Sequence, residues 1–274
     1  MKFQFDHDLH IHSRLSLCAR DPKQTNERIL QYGKENGLNT LCLTDHFWDE
    51  DAYGVIQLKH YEIQNFQYIS QAKPLPQQEG ITFLFGCETE LDRDYHLGIS
   101  KKRFDEFDFV IIPTTHMHEF GHTISEEDGT NIKTRAKAWI NRLDFVLEQE
   151  LPFHKIGIPH LTTGLCAPGE NMAEFFSLIS DDELYRLFQK ASDRGVGIEL
   201  NAEIIKRHSE ILEDILRPYR IAKECGCQFY CGSDAHTPEG FENIKEIYKV
   251  LIESLELDEK DKFQFIHSEQ RKER

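Results

Sequence analysis

Short apolar runs alternate with stretches of helical periodicity along the whole sequence, and this alternation restricts the possible folds more than any other feature. Most of the runs are continuously apolar, which is typical of parallel strands buried on both faces of a sheet. Seven strands are predicted, at residues 5–10, 39–44, 81–87, 108–115, 154–159, 195–201 and 228–233. The fold class is therefore α/β. Because seven strands are one fewer than usual, an irregular (β/α) barrel is expected.

Helical patterns fill most of the intervals between the predicted strands. Gly37 ends the first pattern, and Ser180 with Glu183 predicts a capping box at the start of the third. Pro218 is expected to bend or interrupt the fourth, because proline removes a helical hydrogen bond. The five patterns cover residues 24–36, 133–150, 180–193, 209–225 and 239–257.

The 274 residues suit a single domain, predicted over residues 1–257. A charged C-terminal tail is predicted over residues 258–274, part of which Phe263, Phe265 and Ile266 could hold in place. Long loops that follow barrel strands tend to form the mouth of a substrate site. Three intervals have the length for this role, at residues 48–80, 117–133 and 161–180.

The composition excludes some classes of protein. A net charge of −16, from 48 acidic and 32 basic residues, disfavours binding to long nucleic acid but not to a small anion held through metal ions. No apolar run has the length of a membrane span, and no signal peptide is expected at the N-terminus. The seven cysteines lack the spacing of a disulfide framework, so a cytoplasmic location is expected. The sequence does not indicate the oligomeric state.

Histidine and carboxylate residues recur where the predicted strands end. His10 and His12 share one face of the first strand, because alternate side chains point to the same side. The others that follow later strands are His46, Glu88, His116, His160, Glu199, Asp234 and His236. The carboxyl ends of parallel strands meet at one mouth of a barrel. Burying so many polar groups without partners would cost several kcal/mol of free energy for each group. Two or three divalent ions bound among them would provide those partners.

The ligand types indicate which ions to expect. Imidazoles with a few carboxylates suit zinc, manganese or iron, whereas oxygen-only sites suit magnesium or calcium. A carboxylate between two clusters, such as Glu88, can bridge two ions. Two ions about 3.5–4 Å apart generate hydroxide from a shared water near neutral pH, so the pattern favours metal-assisted hydrolysis.

Several motifs resemble, in the same order, those of the polymerase and histidinol phosphatase (PHP) superfamily. They are Asp8-Leu9-His10-Ile11-His12-Ser13, Leu43-Thr44-Asp45-His46, Gly86-Cys87-Glu88, His116, His160 and Gly232-Ser233-Asp234-Ala235-His236. The resemblance extends over essentially the whole chain and is greatest to the stand-alone histidinol-phosphatase branch. It implies a distorted (β/α)7 TIM-like barrel with up to three metal ions, and hydrolysis of phosphoesters.

The resemblance also assigns metal ligands by motif. One ion would take His10, His12, Glu88 and Asp234, and a second would take Glu88, His116 and His160. A third would take His46, His236 and a residue from the loop after His12. Many members have Asp or His seven or eight residues after the first motif histidine, where this chain has Leu17 and Cys18. Asp21 is predicted as this ligand if the loop extends to it, and Cys18, which would suit zinc, is the alternative.

In the same branch a basic residue after the sixth strand contacts substrate phosphate, which implies Lys206 or Arg207. Arg14 and Arg20 are further candidates, since guanidinium groups match phosphate oxygens. The predicted function is hydrolysis of a small phosphomonoester, similar to histidinol phosphate, by metal-activated hydroxide. Glu88 and Asp234 would hold the ions that activate the water. His236 would assist the leaving alcohol.

Three alternatives stay open at this point. A phosphodiesterase or nuclease acting on nucleotides or short oligonucleotides would use the same ions. A metal-dependent amidohydrolase shares His-x-His on its first strand, but it usually adds a bridging carboxylated lysine, and no lysine ends a predicted strand here. The alternative without catalysis is a metal-binding regulatory protein.

Overall fold

The computed structural model describes residues 1–52 and 63–265. Part of the predicted connection 48–80 lies outside these ranges. The end of the predicted tail, including Ile266, lies outside them as well.

The described residues contain eight short strands, and every paired neighbour is parallel. The strands are β1 (His7–Ile11), β2 (Thr40–Leu43), β3 (Thr82–Phe85), β4 (Cys87–Glu88), β5 (Val110–Ile111), β6 (Ile156–Ile158), β7 (Gly197–Asn201) and β8 (Gln228–Gly232). They form a three-stranded sheet in the order β1-β2-β3 and a five-stranded sheet in the order β4-β5-β6-β7-β8. The predicted α/β class with parallel sheets is confirmed.

The third predicted strand is divided in two at Gly86. The Gly86 N–H donates to the Leu43 carbonyl in the first sheet, and the next N–H, that of Cys87, donates to the Phe109 carbonyl beside β5. A Cβ at Gly86 would lie 2.5 Å from that Phe109 oxygen, so no larger residue fits without displacing the backbone. The chain therefore passes from one sheet to the other at this glycine.

The two sheets meet at two seams. At the first seam the Asp234 N–H donates to the His10 carbonyl at 2.8 Å, and the His12 N–H donates to the Ala235 carbonyl at 3.2 Å. The first seam therefore joins β1 to the residues that follow β8.

At the second seam the Glu88 N–H donates to the Asp45 carbonyl at 3.1 Å, and the Phe47 N–H donates to the Glu88 carbonyl at 2.8 Å. At each seam the two sheets are joined by an isolated β-bridge and not by a continuous run of paired residues. In the second sheet, β4 pairs with β5 over only two residues. Among the described residues the strands therefore do not form the closed sheet of the predicted barrel.

The helices are α1 (Asn26–Asn36), α2 (Phe66–Ile69), α3 (Ile132–Glu148), α4 (Met172–Ser177), α5 (Asp181–Arg194), α6 (Glu203–His208), α7 (Leu212–Glu224) and α8 (Ile244–Ser254). Five of the helices correspond to the predicted patterns, the last of them shorter than predicted, whereas α2, α4 and α6 were not predicted. Gly37 follows α1, and the Ser180 side chain accepts from the Glu183 N–H at the start of α5. Pro218 does not interrupt α7, which continues for six residues beyond it.

An interior cluster lies between the two sheets, separate from the larger core that packs against the helices. Its members are Leu9, Cys42, Leu84, Phe109, Ile111, Tyr230 and Phe263. Phe263 is buried and its N–H donates to the Phe229 carbonyl at 2.8 Å, so the first part of the predicted tail packs against the second sheet. No helix in the described ranges has the length and apolar character required to cross a membrane.

Candidate metal centre

The first group of candidate ligands lies at the first seam. His10 and His12 extend from β1, and their Nε2 atoms lie 3.1 Å apart. The Asp234 Oδ1 atom lies 3.3 Å from the His10 Nε2 and 3.2 Å from the His12 Nε2. Metal–nitrogen bonds of about 2.0–2.1 Å place tetrahedral ligands roughly 3.3 Å apart. These residues therefore fit one divalent ion.

The second group surrounds the other oxygen of Glu88. The Glu88 Oε1 atom lies 3.0 Å from the His160 Nε2 and 3.6 Å from the His116 Nε2. The Glu88 Oε2 atom faces the first seam, 3.2 Å from the His12 Nε2. The two oxygens thus face separate sets of imidazoles, which is the arrangement that a bridging carboxylate requires.

The remaining predicted ligands lie at the edge of this cluster. The His46 Nδ1 is 3.3 Å from the Glu88 Oε2, and His46 groups with His12 and Glu88. His236 groups with His12 and Cys18, whose ligand atoms all lie within 4.8 Å of one another. Asp21 joins none of the ligand groups among the described residues, and its carboxylate accepts from the Lys23 N–H within its own loop. The structure thus brings Cys18, not Asp21, to the cluster.

Most of the imidazoles are oriented by a partner on the ring nitrogen that faces away from the cluster. The His10 Nδ1 is 2.6 Å from Glu199, and the His116 Nδ1 is 2.6 Å from Glu90. Such carboxylates fix the ring and make the ligand nitrogen more basic. Glu199 was predicted only as one of the polar residues at the strand ends, and Glu90, which follows Glu88 by two residues, was not predicted to orient a ligand.

Two candidate ligands have a backbone conformation that only a minority of non-glycine residues adopt. His160 has φ of 36° and Asp234 has φ of 52°. The His160 N–H donates to the Glu199 Oε2 at 2.7 Å, which holds the strained residue in place. Strain of this kind concentrates at functional sites, where the surrounding structure compensates for it.

Arg142, on α3, fixes the segments that follow β4 and β5. Its buried guanidinium donates to the carbonyls of Thr114 at 2.8 Å and Leu91 at 2.8 Å, and also to those of Asp92 and Thr123. The Arg142 side chain therefore fixes the loops that carry the second ligand group, through hydrogen bonds to their main-chain carbonyls.

A cavity of about 830 Å³ opens beside the ligand cluster. Lys206 and Arg207, on α6, line it, and the Lys206 Nζ donates to the Gly240 carbonyl across the mouth at 2.8 Å. The structure does not bring the other two predicted phosphate contacts to this cavity. Arg14 is exposed elsewhere, and the Arg20 Nε donates to the Leu17 carbonyl of its own loop.

The sequence matches the PHP domain family over residues 8–203, a range that includes His10, His12, His46, Glu88, His116 and His160 and ends before Asp234 and His236. The chain belongs to the PHP domain family. No curated protein sequence matches the chain.

The fold of this PHP protein is similar to that of histidinol phosphate phosphatase from Lactococcus lactis, solved with zinc, L-histidinol and phosphate. The TM-score is 0.60 at 17% identity, covering 94% of this chain and 98% of the other. An archaeal ribonuclease P structure with mature tRNA also matches, at 14% identity over 90% of this chain and 91% of the other. Its TM-score is 0.37.

Burial and neighbouring charges set the protonation of the PHP centre in opposite directions. Burial disfavours an ionised Glu88, but the imidazoles of His46 and His10 outweigh it and hold the Glu88 pKa well below its ordinary value. Burial disfavours a charged His12 as well, yet Asp234 and Glu88 raise the His12 pKa to about 9. Burial lowers the pKa of His116 to about 3, so that imidazole is neutral at pH 7.

These shifts predict that metal binding releases protons. Asp234 and Glu199 raise the pKa of His10 well above its ordinary value, against burial, and the His12 pKa is about 9, so the centre without metal favours protonated imidazole. Only a neutral imidazole binds an ion. Calorimetric titration of metal-free protein at pH 7, in buffers of different ionisation enthalpy, should therefore show a net release of protons.

Apparent metal affinity should then rise with pH between 7 and 9, as the His12 imidazole loses its proton without help from the ion. The same titration above pH 9 serves as the control and should show a smaller release. Binding at pH 7 without proton release would contradict the assignment of His10 and His12 as ligands.

Proposed function

We propose that this PHP protein is a metal-dependent phosphoesterase that hydrolyses a small phosphomonoester. The observation that carries the proposal is the position of Glu88, whose two oxygens face separate imidazole groups beside a cavity lined by Lys206 and Arg207. The zinc, L-histidinol and phosphate bound by the Lactococcus lactis enzyme support a substrate similar to histidinol phosphate.

The donor set fits two to three divalent ions of zinc, manganese or iron, because buried imidazoles predominate over carboxylates. His10, His12 and Asp234 would hold one ion with Glu88, and Glu88, His116 and His160 would hold a second. His46 and His236 remain for a third. Bound divalent ions lower the pKa of coordinated water and offset charge on phosphate oxygens.

The residues of the chain would have separate roles in holding the ions, binding the phosphate and protonating the leaving group. Glu88 and Asp234 would hold the ions that activate the attacking water. Lys206 and Arg207 would bind the phosphate oxygens from α6, where both line the cavity. His236 also lines the cavity, and its Nδ1 donates to the Asp234 carbonyl at 2.7 Å. Its free Nε2 would bind an ion or donate a proton to the leaving alcohol.

We also propose that the two sheets are halves of one distorted (β/α)7 barrel over residues 1–257. The main-chain bonds at both seams support this, because they continue the parallel pairing from one sheet to the other. The cytoplasmic location stays a prediction. It agrees with the free state of all seven cysteines, each of which lies in the described ranges.

The test is to strip the protein of metal, reload it separately with zinc, manganese or iron, and measure phosphate release. The panel contains histidinol phosphate, p-nitrophenyl phosphate, a mononucleotide and a dinucleotide. Turnover of monoesters supports the proposal. Faster turnover of the dinucleotide would indicate a phosphodiesterase instead, and full occupancy without any turnover would indicate a regulatory protein.

Replacing Lys206 with methionine is predicted to raise KM for the monoester roughly ten- to hundred-fold, since a charge-assisted hydrogen bond is worth about 1.5–3 kcal/mol. Metal content should not change, because Lys206 belongs to no ligand group. The control is Lys137→Met, at an exposed position of α3. An unchanged KM in Lys206→Met would remove Lys206 from the substrate site.

A further inference from the structure

One nucleophilic side chain at the PHP centre has no role in the function proposed above. Cys18 is exposed to the main cavity, and its Sγ forms a ligand group with His12 and His236. The other cysteines of the described chain lie outside the groups that could hold an ion. The position of Cys18 therefore needs its own explanation.

The local fold holds Cys18 against the cluster. Two successive tight turns, from the Ser16 N–H to the Ser13 carbonyl and from the Ala19 N–H to the Ser16 carbonyl, fold the loop back over His12. Ala19 is fully buried and anchors the end of the loop. The loop position is thus set by packing on both sides of Cys18.

Ser16 connects the same loop to His12 and His46 through hydrogen bonds. Its hydroxyl lies 3.0 Å from the His12 Nδ1, and it accepts from the His46 N–H at 2.9 Å. The Leu17 N–H donates to the Gln64 side chain at 2.9 Å. Any large movement of Cys18 away from the cluster would break these contacts.

We propose that Cys18 is a thiolate ligand of one divalent ion, which it binds together with His236 beside His12. The proposal rests on the proposed metal-dependent function and deepens it. Sulfur binds zinc at about 2.3 Å and imidazole nitrogen at about 2.0–2.1 Å, so the two ligand atoms of one tetrahedral ion lie roughly 3.6 Å apart. The ligand atoms of Cys18, His12 and His236 lie within 4.8 Å of one another, so binding an ion would draw the Cys18 Sγ closer to the imidazoles.

This assignment has two chemical consequences. His236 becomes an ion ligand and does not transfer the proton to the leaving alcohol. Thiolate is a soft ligand, so this position should select zinc over manganese, which prefers oxygen ligands. The thiolate therefore gives this ion a metal preference that the imidazoles and carboxylates alone would not impose.

Cobalt substitution tests the proposal through a spectrum and not through activity. Metal-free full-length protein is titrated with Co²⁺ while near-ultraviolet and visible absorption are recorded. Wild type should develop the intense near-ultraviolet band of thiolate-to-cobalt charge transfer. Cys18→Ser should lose this band, and Cys225→Ser, which alters a partly exposed thiol bonded to the Tyr185 carbonyl, should keep it.

A second variant separates loss of the thiolate from loss of the fold. Cys18→Asp keeps an anionic ligand, so it should bind the same number of ions without the charge-transfer band. Its preference for zinc over manganese should fall roughly ten-fold or more. Circular dichroism verifies that the variants are folded.

Three results would overturn the proposal: a charge-transfer band that persists in Cys18→Ser, cobalt binding by wild type without the band, or no cobalt binding. Failure of the proposed function is distinguishable from these results. A charge-transfer band in a protein that hydrolyses no phosphoester would leave Cys18 as a ligand and remove the phosphatase.

Discussion

Glu88→Gln is expected to lower kcat/KM for a phosphomonoester roughly 10³-fold or more, and to remove at least one ion from the protein. Both Glu88 oxygens face imidazole groups, at 3.0 Å from His160 and 3.2 Å from His12. Glutamine has the same shape but carries no charge and offers only one acceptor oxygen. It therefore cannot bridge two ions, and the loss of several kcal/mol of electrostatic stabilisation corresponds to this change in rate.

Elemental analysis and steady-state kinetics on the same preparation measure both effects. Glu79→Gln is the matched control, because Glu79 is exposed. It should keep wild-type metal content and activity. Full metal content in Glu88→Gln, with activity within ten-fold of wild type, would refute the bridging role.

Arg142→Leu is expected to lower the free energy of unfolding by at least about 5 kcal/mol. The substitution leaves buried carbonyls, among them those of Thr114 and Leu91, without their donor, and each such loss costs about 1–3 kcal/mol. In a chain of this size the corresponding fall in Tm is roughly 10 °C or more. Metal affinity should fall too, because these carbonyls belong to the loops that carry the second ligand group.

The control for this prediction is Arg186→Leu, on the surface of α5. Arg186 pairs with Asp144 and Glu183, but its side chain is 43% exposed, and such pairs contribute at most about 1 kcal/mol. Thermal melts of metal-free protein measure both variants. A fall in Tm for Arg142→Leu no greater than that for Arg186→Leu would show that other contacts hold the loops.

Much of this architecture could be predicted from the sequence because each signal was local. The continuously apolar runs marked the strands, and Gly37 and Ser180 marked helix ends that the structure confirms. The convergence of ligands followed from one physical rule, that the carboxyl ends of parallel strands share one edge.

Other features depended on contacts that the sequence does not contain. Gly86 lies inside an apolar run, and nothing in that run indicates that the strand changes its pairing partner there. The choice between Cys18 and Asp21 depended on two turns in the loop after His12, and not on the spacing of the residues. The orienting role of Glu199 required knowing that β7 lies close to β1 across the interior.

The seams between the two sheets give the metal centre a second consequence. His10 belongs to the first sheet and His12 directly follows it, whereas Glu88 belongs to the second sheet and Asp234 follows it. The main-chain groups of these four residues make the bonds that join the sheets. Ions held by these side chains would cross-link the two halves of the molecule. Metal supply would then govern how firmly the halves stay associated, so starvation for the ion would weaken the scaffold as well as stop the chemistry.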